Sequence, residues 1–200
     1  MPADTRPVLY VVACGAYPAG QLPAFVRDAQ GQGWNVCVIA TPDGAKFIDT
    51  GNLAGLTGHP VRTRYKRPDE PDVLPPPDAF VVAPATFNTV NKWAQGISDT
   101  LALGLLNEAV GLGLPMIAVP WPNTALAAHQ VFARSLGTLR EWGVTLLLDL
   151  NRLPPASNQR PAGASGAPGE AAPAPTFPWD DLRALLPSLR PQPAEPQNSS

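Results

Sequence analysis

Short apolar runs alternate with longer segments of helical period along the first three-quarters of the chain. The runs occupy residues 8–13, 35–40, 79–83, 115–119 and 144–148, with a weaker one at 61–65. They are continuous rather than alternating, as strands covered on both faces are. Strands separated by helical segments read as an α/β fold, a parallel sheet with crossover helices.

The segments between the runs carry helix signals. Residues 21–32 place Leu22, Phe25, Val26 and Ala29 on one stripe, and Gly33 follows as a stop. Thr41 and Pro42 open a second helix, as a cap and a first helical residue. Residues 86–111 form one long helix or two broken near Gly96, and residues 124–142 form the last long one, ended by Gly143.

Composition changes at residue 150. The last 50 residues hold 11 of the 26 prolines, set among Ala, Gly and Ser. Such a stretch cannot bury enough apolar area to offset its ordering entropy. The expected organisation is a folded domain over 1–150 and a Pro/Ala-rich, largely flexible tail over 151–200. One island interrupts the tail. Thr176-Phe-Pro-Trp-Asp-Asp-Leu-Arg-Ala-Leu-Leu186 predicts a short helix near 177–186 that docks on the core or on a neighbouring subunit.

Charge and cysteines exclude several functions. A net charge of −2 does not suit a nucleic-acid surface. The basic run Arg62-Thr-Arg-Tyr-Lys-Arg67 is followed by Asp69, Glu70 and Asp72 and reads as a solvated loop. Cys14 and Cys37 lack a metal-ligand spacing and lie in apolar runs, so no metal site is expected. No apolar run reaches the roughly 18 residues of a membrane span, and residues 1–6 lack a signal-peptide core. A cytoplasmic protein is expected.

In an open parallel sheet, ligands sit beyond the carboxyl ends of the strands. After the first run comes Cys14-Gly-Ala-Tyr-Pro-Ala19, a glycine turn that accounts equally well for a phosphate contact or for a tight turn without ligand. Thr41 after the second run serves as a cap or as a ligand hydroxyl. After the fourth comes Ala83-Pro-Ala-Thr-Phe-Asn-Thr89. Thr86, Asn88 and Thr89 exceed what one helix cap uses, so a polar ligand stands beside the capping reading.

Ala83 to Thr89 resembles the P-A-S-A-N-T motif of the homo-oligomeric flavin-containing cysteine decarboxylases, which include phosphopantothenoylcysteine decarboxylase. Thr86 and Phe87 replace its inner Ser-Ala. The segment Lys92-Trp-Ala-Gln-Gly-Ile-Ser-Asp-Thr-Leu101 is similar to the family's K-x-x-x-G-I-x-D-x-L, and Pro120-Trp-Pro-Asn-Thr-Ala-Leu126 to its P-x-M-N-x-x-M-W loop at Pro120 and Asn123. The likeness spans about residues 7–149. It implies a Rossmann-like (flavodoxin-like), three-layer, doubly wound parallel sheet of about six strands. It further implies FMN at the interface of a homotrimer or a trimer-based higher oligomer. Gly15, Ala16 and Thr41 would lie near the phosphate, and Ala85, Thr86, Asn88 and Thr89 would form the flavin motif. Ser98 and Asp99 would lie near the phosphate or the subunit contact, and Asn123 is the candidate catalytic residue.

The sequence departs from that pattern where the family carries a histidine before the fourth strand. Glu70-Pro-Asp-Val-Leu74 holds none, and the chain's two histidines are His59 and His129. Trp121-Pro122 and Leu126-Ala127 also replace family residues in the substrate loop. Three readings follow. The first is an FMN-dependent redox enzyme whose small or peptidic substrate is not the usual cysteine derivative. The second is a non-catalytic flavin-binding partner or regulatory subunit completing a mixed-trimer site. The third is a nucleotide-binding domain without flavin.

Overall fold

The computed structural model describes residues 5–67, 69–156 and 175–191. Five parallel strands form one sheet in the order β2-β1-β3-β4-β5: β1 Val8–Ala13, β2 Asn35–Ala40, β3 Ala79–Ala85, β4 Met116–Pro120 and β5 Thr145–Leu146. The helices are α1 Leu22–Gly31, α2 Thr50–Thr57, α3 Phe87–Trp93, α4 Leu101–Gly111, α5 Thr124–Ala127, α6 Gln130–Glu141 and α7 Trp179–Leu185. β1 pairs with β2 through all six residues and with β3 on its other edge, so the chain winds in both directions from the centre. The expected Rossmann-like three-layer sheet is the fold observed.

The two-residue period of β1 divides the core. Leu9, Val11 and Ala13 pack with Leu22 and Phe25 of α1, Leu53 of α2, and Trp179 and Leu182 of α7. Tyr10 and Val12 point the other way, to Val90 and Trp93 of α3, Leu106 of α4 and Phe132 of α6. Each face is thus covered by its own helix layer, which is why the strands read as unbroken apolar runs.

The run at 61–65 is not a strand. It makes one bridge, Arg62 to Ile39, with Ala40 N–H donating to Arg62 O at 2.8 Å and Arg62 N–H to Val38 O at 3.2 Å. Pro71 and Pro75–Pro77 follow, and prolines cannot donate to a ladder. The run at 144–148 contracts to the two residues of β5. Both long helical segments are broken. Gly96, at φ +69°, lies between α3 and α4, while His129 caps α6 by accepting Val131 N–H at Nδ1. Thr41 Oγ1 accepts Gly44 N–H, but the Gly44–Lys46 element is a short 3-10 turn with Asp43 at its N-cap position, and the following helix starts later, at the Asp49 cap.

The C-terminal island is a helix, α7, docked on α1. Its N-cap position is Pro178, without side-chain capping. The Trp179 ring lies tilted against Phe25 at 5.4 Å, Arg183 pairs with Asp28 at 2.6 Å, and the Arg190 guanidinium lies 5.6 Å over the Trp34 ring. The rest of the Pro/Ala-rich tail, residues 157–174 and 192–200, lies outside the described residues. If α7 belongs to the core, Leu182→Ala lowers the unfolding free energy by about 2–5 kcal/mol. The partly exposed ion pair contributes far less, so Arg183→Ala costs about 1 kcal/mol or less. Urea unfolding of the two variants checks this, and equal midpoints would detach α7 from the core.

Candidate functional site

Backbone hydrogen bonds continue across the carboxyl edge of the sheet after the strands end. Thr41 N–H donates to Ala13 O at 2.9 Å, Cys14 N–H to Pro84 O at 3.3 Å, and Trp121 N–H to Ala85 O at 2.8 Å. The turns after β1, β2, β3 and β4 are therefore stitched side by side. The Ala83–Pro84 peptide within β3 is cis. Side chains of any size would force the first two turns apart. A Cβ on Gly44 would stand 2.2 Å from Ala13 O, and one on Gly15 would stand 3.0 Å from the Asp43 Cβ.

These turns and α4 enclose a cavity of about 350 Å³, lined by Gly15, Thr41, Pro42, Asp43, Thr86, Asn88, Thr89, Lys92, Thr100 and Leu103. Five of the residues expected at the site meet here: Gly15, Thr41, Thr86, Asn88 and Thr89. The hydroxyls of Thr86 and Thr89 lie 3.0 Å apart, and Thr86 also caps α3. Thr41 Oγ1 accepts Gly44 N–H at 2.9 Å. Lys92 forms an ion pair with Asp99. Lys46 hydrogen-bonds the exposed Asp43 carboxylate and holds it below its ordinary range.

The other expected residues fall around this cavity rather than in its lining. Ala16 lines a neighbouring cavity of about 480 Å³. Ala85 is fully buried at the end of β3. Ser98 and Asp99 lie in the exposed turn before α4, where Ser98 Oγ accepts from Asn107 Nδ2 at 2.9 Å. Asn123 is the N-cap of α5, its Oδ1 accepting Leu126 N–H at 2.9 Å. Lys92 and Thr100 are lining residues not singled out from the sequence. Lys92 stands in the last turn of α3 and Thr100 is the N-cap of α4, with the Gly96 bend between them.

Cys14 lies beneath the cavity. Burial pushes its thiol pKa up, opposed by hydrogen bonds from the Thr89 side chain and the Thr86 backbone. Neither histidine lines the cavity. His59 Nε2 pairs with Asn35 Oδ1 at 2.9 Å, and the His129 ring meets the edge of Phe87 at 5.8 Å. Among the described residues there is no cluster fit to hold a metal ion and no helix long and apolar enough to cross a membrane.

A doubly wound sheet with a polar cavity at its carboxyl edge, at the point where chain order reverses, defines a nucleotide- or cofactor-binding α/β protein. The family description Flavoprotein matches residues 3–171, and the chain belongs to that family. It is 30% identical over 148 residues to the coenzyme A biosynthesis bifunctional protein CoaBC of Bacillus subtilis, covering 70% of this chain and 35% of that protein. The chain thus spans about a third of that relative. It is 26% identical over 147 residues to a probable phosphopantothenoylcysteine decarboxylase of Streptococcus mutans, covering 70% of this chain and 80% of the relative. Among solved structures it is similar to the FMN-dependent cysteine decarboxylase TvaF from thioviridamide biosynthesis. The TM-score is 0.61 at 26% identity, over 70% of this chain and 88% of that one. The resemblance drawn from the motifs is the family observed.

The buried thiols and phenol set a pH dependence. Burial pushes Cys37 from 9.0 to about 12 and Tyr10 from 10.0 to about 12. The unfolded chain releases these protons at lower pH than the fold does, so folded stability is full below about pH 9 and falls as pH rises toward 12. Urea midpoints measured across that range should decline, and less so in Cys37→Ala. A flat profile would mean that these groups are not buried.

Proposed function

We propose that this chain binds FMN in the polar cavity and is a redox enzyme related to the cysteine decarboxylases, acting on a different substrate. The observation that carries the reading is the convergence of four threonine hydroxyls, the Asn88 amide and the Lys92 ammonium on one cavity. A phosphate dianion takes hydroxyl and ammonium donors such as Thr41 and Lys92, and Thr100, the N-cap of the 11-residue α4, brings the positive end of a helix to the same space, while Thr86, Asn88 and Thr89 are left for the ring. Gly15 and Gly44 let the turns after β1 and β2 pack against each other beside the cavity.

In this reading Gly15, Ala16 and Thr41 hold the phosphate end, and Thr86, Asn88, Thr89 and the buried Ala85 shape the place of the ring. Asp99 acts through Lys92, whose charge it orients, and Ser98 stands beside it at the phosphate or the subunit contact. FMN supplies redox chemistry when bound, and the protein supplies orientation. Asn123 is the group proposed to orient a substrate carboxylate or carbonyl. Its cap fixes Oδ1 on Leu126 N–H, so Nδ2 is the donor it presents. Family membership and the FMN-dependent relative support the cofactor. The likeness to homo-oligomeric decarboxylases supports a homotrimer or a trimer-based higher oligomer, and two unpaired buried thiols suit a reducing cytoplasm.

The placement of the histidines favours a second reading. With His59 engaged by Asn35 and His129 capping α6, the chain fits a non-catalytic flavin-binding partner or regulatory subunit. It would complete a mixed trimer whose histidine comes from another chain. Incubation of the FMN-loaded homo-oligomer with thiol-bearing acids separates the two. Bleaching of the flavin supports the enzyme, whereas inertness together with co-purification of a histidine-bearing relative supports the partner.

Asn88 is exposed and carries no fold contact that its loss would expose, so Asn88→Ala tests the cofactor itself. It should weaken FMN retention by about three- to tenfold, the loss of one hydrogen bond. Visible absorbance per protein after gel filtration measures this. Unchanged flavin content would place the cofactor elsewhere.

A further inference from the structure

The segment that makes a single bridge to β2 goes on to reach α4. Arg62 O receives the N–H of Ala40, the residue before Thr41, at 2.8 Å. Three residues later the Tyr65 hydroxyl donates to Thr100 O, at the N-cap of α4, at 3.2 Å. Residues 62–65 thus span from the carboxyl end of β2 to the start of α4. Thr41 and Thr100 both line the polar cavity, while residues 62–65 stand outside its lining. The span ties the two threonines together from behind.

The seat for Tyr65 is cut into the helix. Gly104 lies inside α4, where glycine is less favourable than alanine. A Cβ at position 104 would overlap the Tyr65 hydroxyl oxygen and stand 3.0 Å from its Cζ. The helix gives up propensity at the place where the phenol docks. Tyr65 is 58% exposed, so burial of its ring does not account for the notch. Leu101, Leu103 and Leu106 bury α4 against the sheet, but apolar packing is non-directional, and the turn entering α4 bends at Gly96. The Tyr65 bond is directional. It acts on the first turn of the helix, where Thr100 O also accepts Gly104 N–H at 2.9 Å.

We infer that Tyr65, seated at Gly104, is a positioning residue that braces the start of α4 against the end of β2 and so sets the separation of Thr41 and Thr100 across the polar cavity. The inference rests on the assignment of a phosphate to that cavity and adds a residue from outside it. Tyr65 bonds the backbone of Thr100 and supplies no group to the lining, so its loss loosens the phosphate end without removing a donor. The flavin ring, placed at Thr86, Asn88 and Thr89, does not use this separation.

Titrations with FMN and with riboflavin, which lacks the phosphate, compare the wild type with Tyr65→Phe, Gly104→Ala, Tyr65→Ser and the Tyr65→Ser/Gly104→Ala double variant. Tyr65→Phe and Gly104→Ala should each weaken FMN binding by about two- to fivefold, the worth of one hydrogen bond, and leave riboflavin affinity unchanged. Once Tyr65→Ser has cleared the notch, Gly104→Ala should change neither affinity further. The clash at position 104 is with the end of an exposed side chain, which can swing away and leave α4 folded. Tyr65→Phe removes a single oxygen and carries the test alone should Gly104→Ala unfold. A preference for FMN that Tyr65→Phe leaves intact, an equal loss of FMN and riboflavin, or a Gly104→Ala effect that persists in the Tyr65→Ser background would overturn the brace. Wild-type protein that binds the two ligands equally would refute the phosphate assignment itself, and the brace with it.

Discussion

The carboxyl edge of the sheet is held closed by backbone. Ala13 O receives Thr41 N–H, Cys14 N–H reaches Pro84 O, and Ala85 O receives Trp121 N–H, so the four turns that follow β1 to β4 are fixed by the same kind of bond that pairs the strands. This arrangement tolerates no Cβ at Gly44, where Ala13 O would be 2.2 Å away. The Cys14 side chain beside it is fully buried. Every group that lines the polar cavity from the turns is positioned by these contacts, and a substitution that parted the turns would move all of them together.

Sequence reading recovered this layer because its causes are local. Continuous apolar runs mark strands buried on both faces, and the clustering of Thr86, Asn88 and Thr89 exceeds what capping uses. It overreached at residues 61–65, where the residues suit a strand but the prolines that follow carry the chain off the edge after one bridge. Thr41 reads as the cap of the second helix, but its hydroxyl accepts Gly44 N–H ahead of a 3-10 turn whose N-cap position is Asp43, and the helix itself starts at the Asp49 cap. The contributions of Thr100, Leu103 and Phe177 were not legible, since each reaches its cavity only through packing between distant segments.

The histidines and the loop after β4 bear on chemistry together. His59 stabilises the start of β2 through Asn35, and His129 spends Nδ1 on a helix cap beside Phe87. Neither is free to serve as an acid or base in the polar cavity without leaving its partner. The loop after β4 meanwhile carries Trp121 into the wall of the neighbouring cavity and fixes Asn123 with its donor outward.

That proposal depends on a phosphate among the hydroxyls and Lys92. Parallel calorimetric titrations of the FMN-free protein with FMN and with riboflavin, which lacks the phosphate, test it most directly. Charge-assisted bonds to the phosphate predict that FMN binds at least about tenfold tighter than riboflavin. Equal affinities, or no binding of either, would contradict the assignment of the polar cavity.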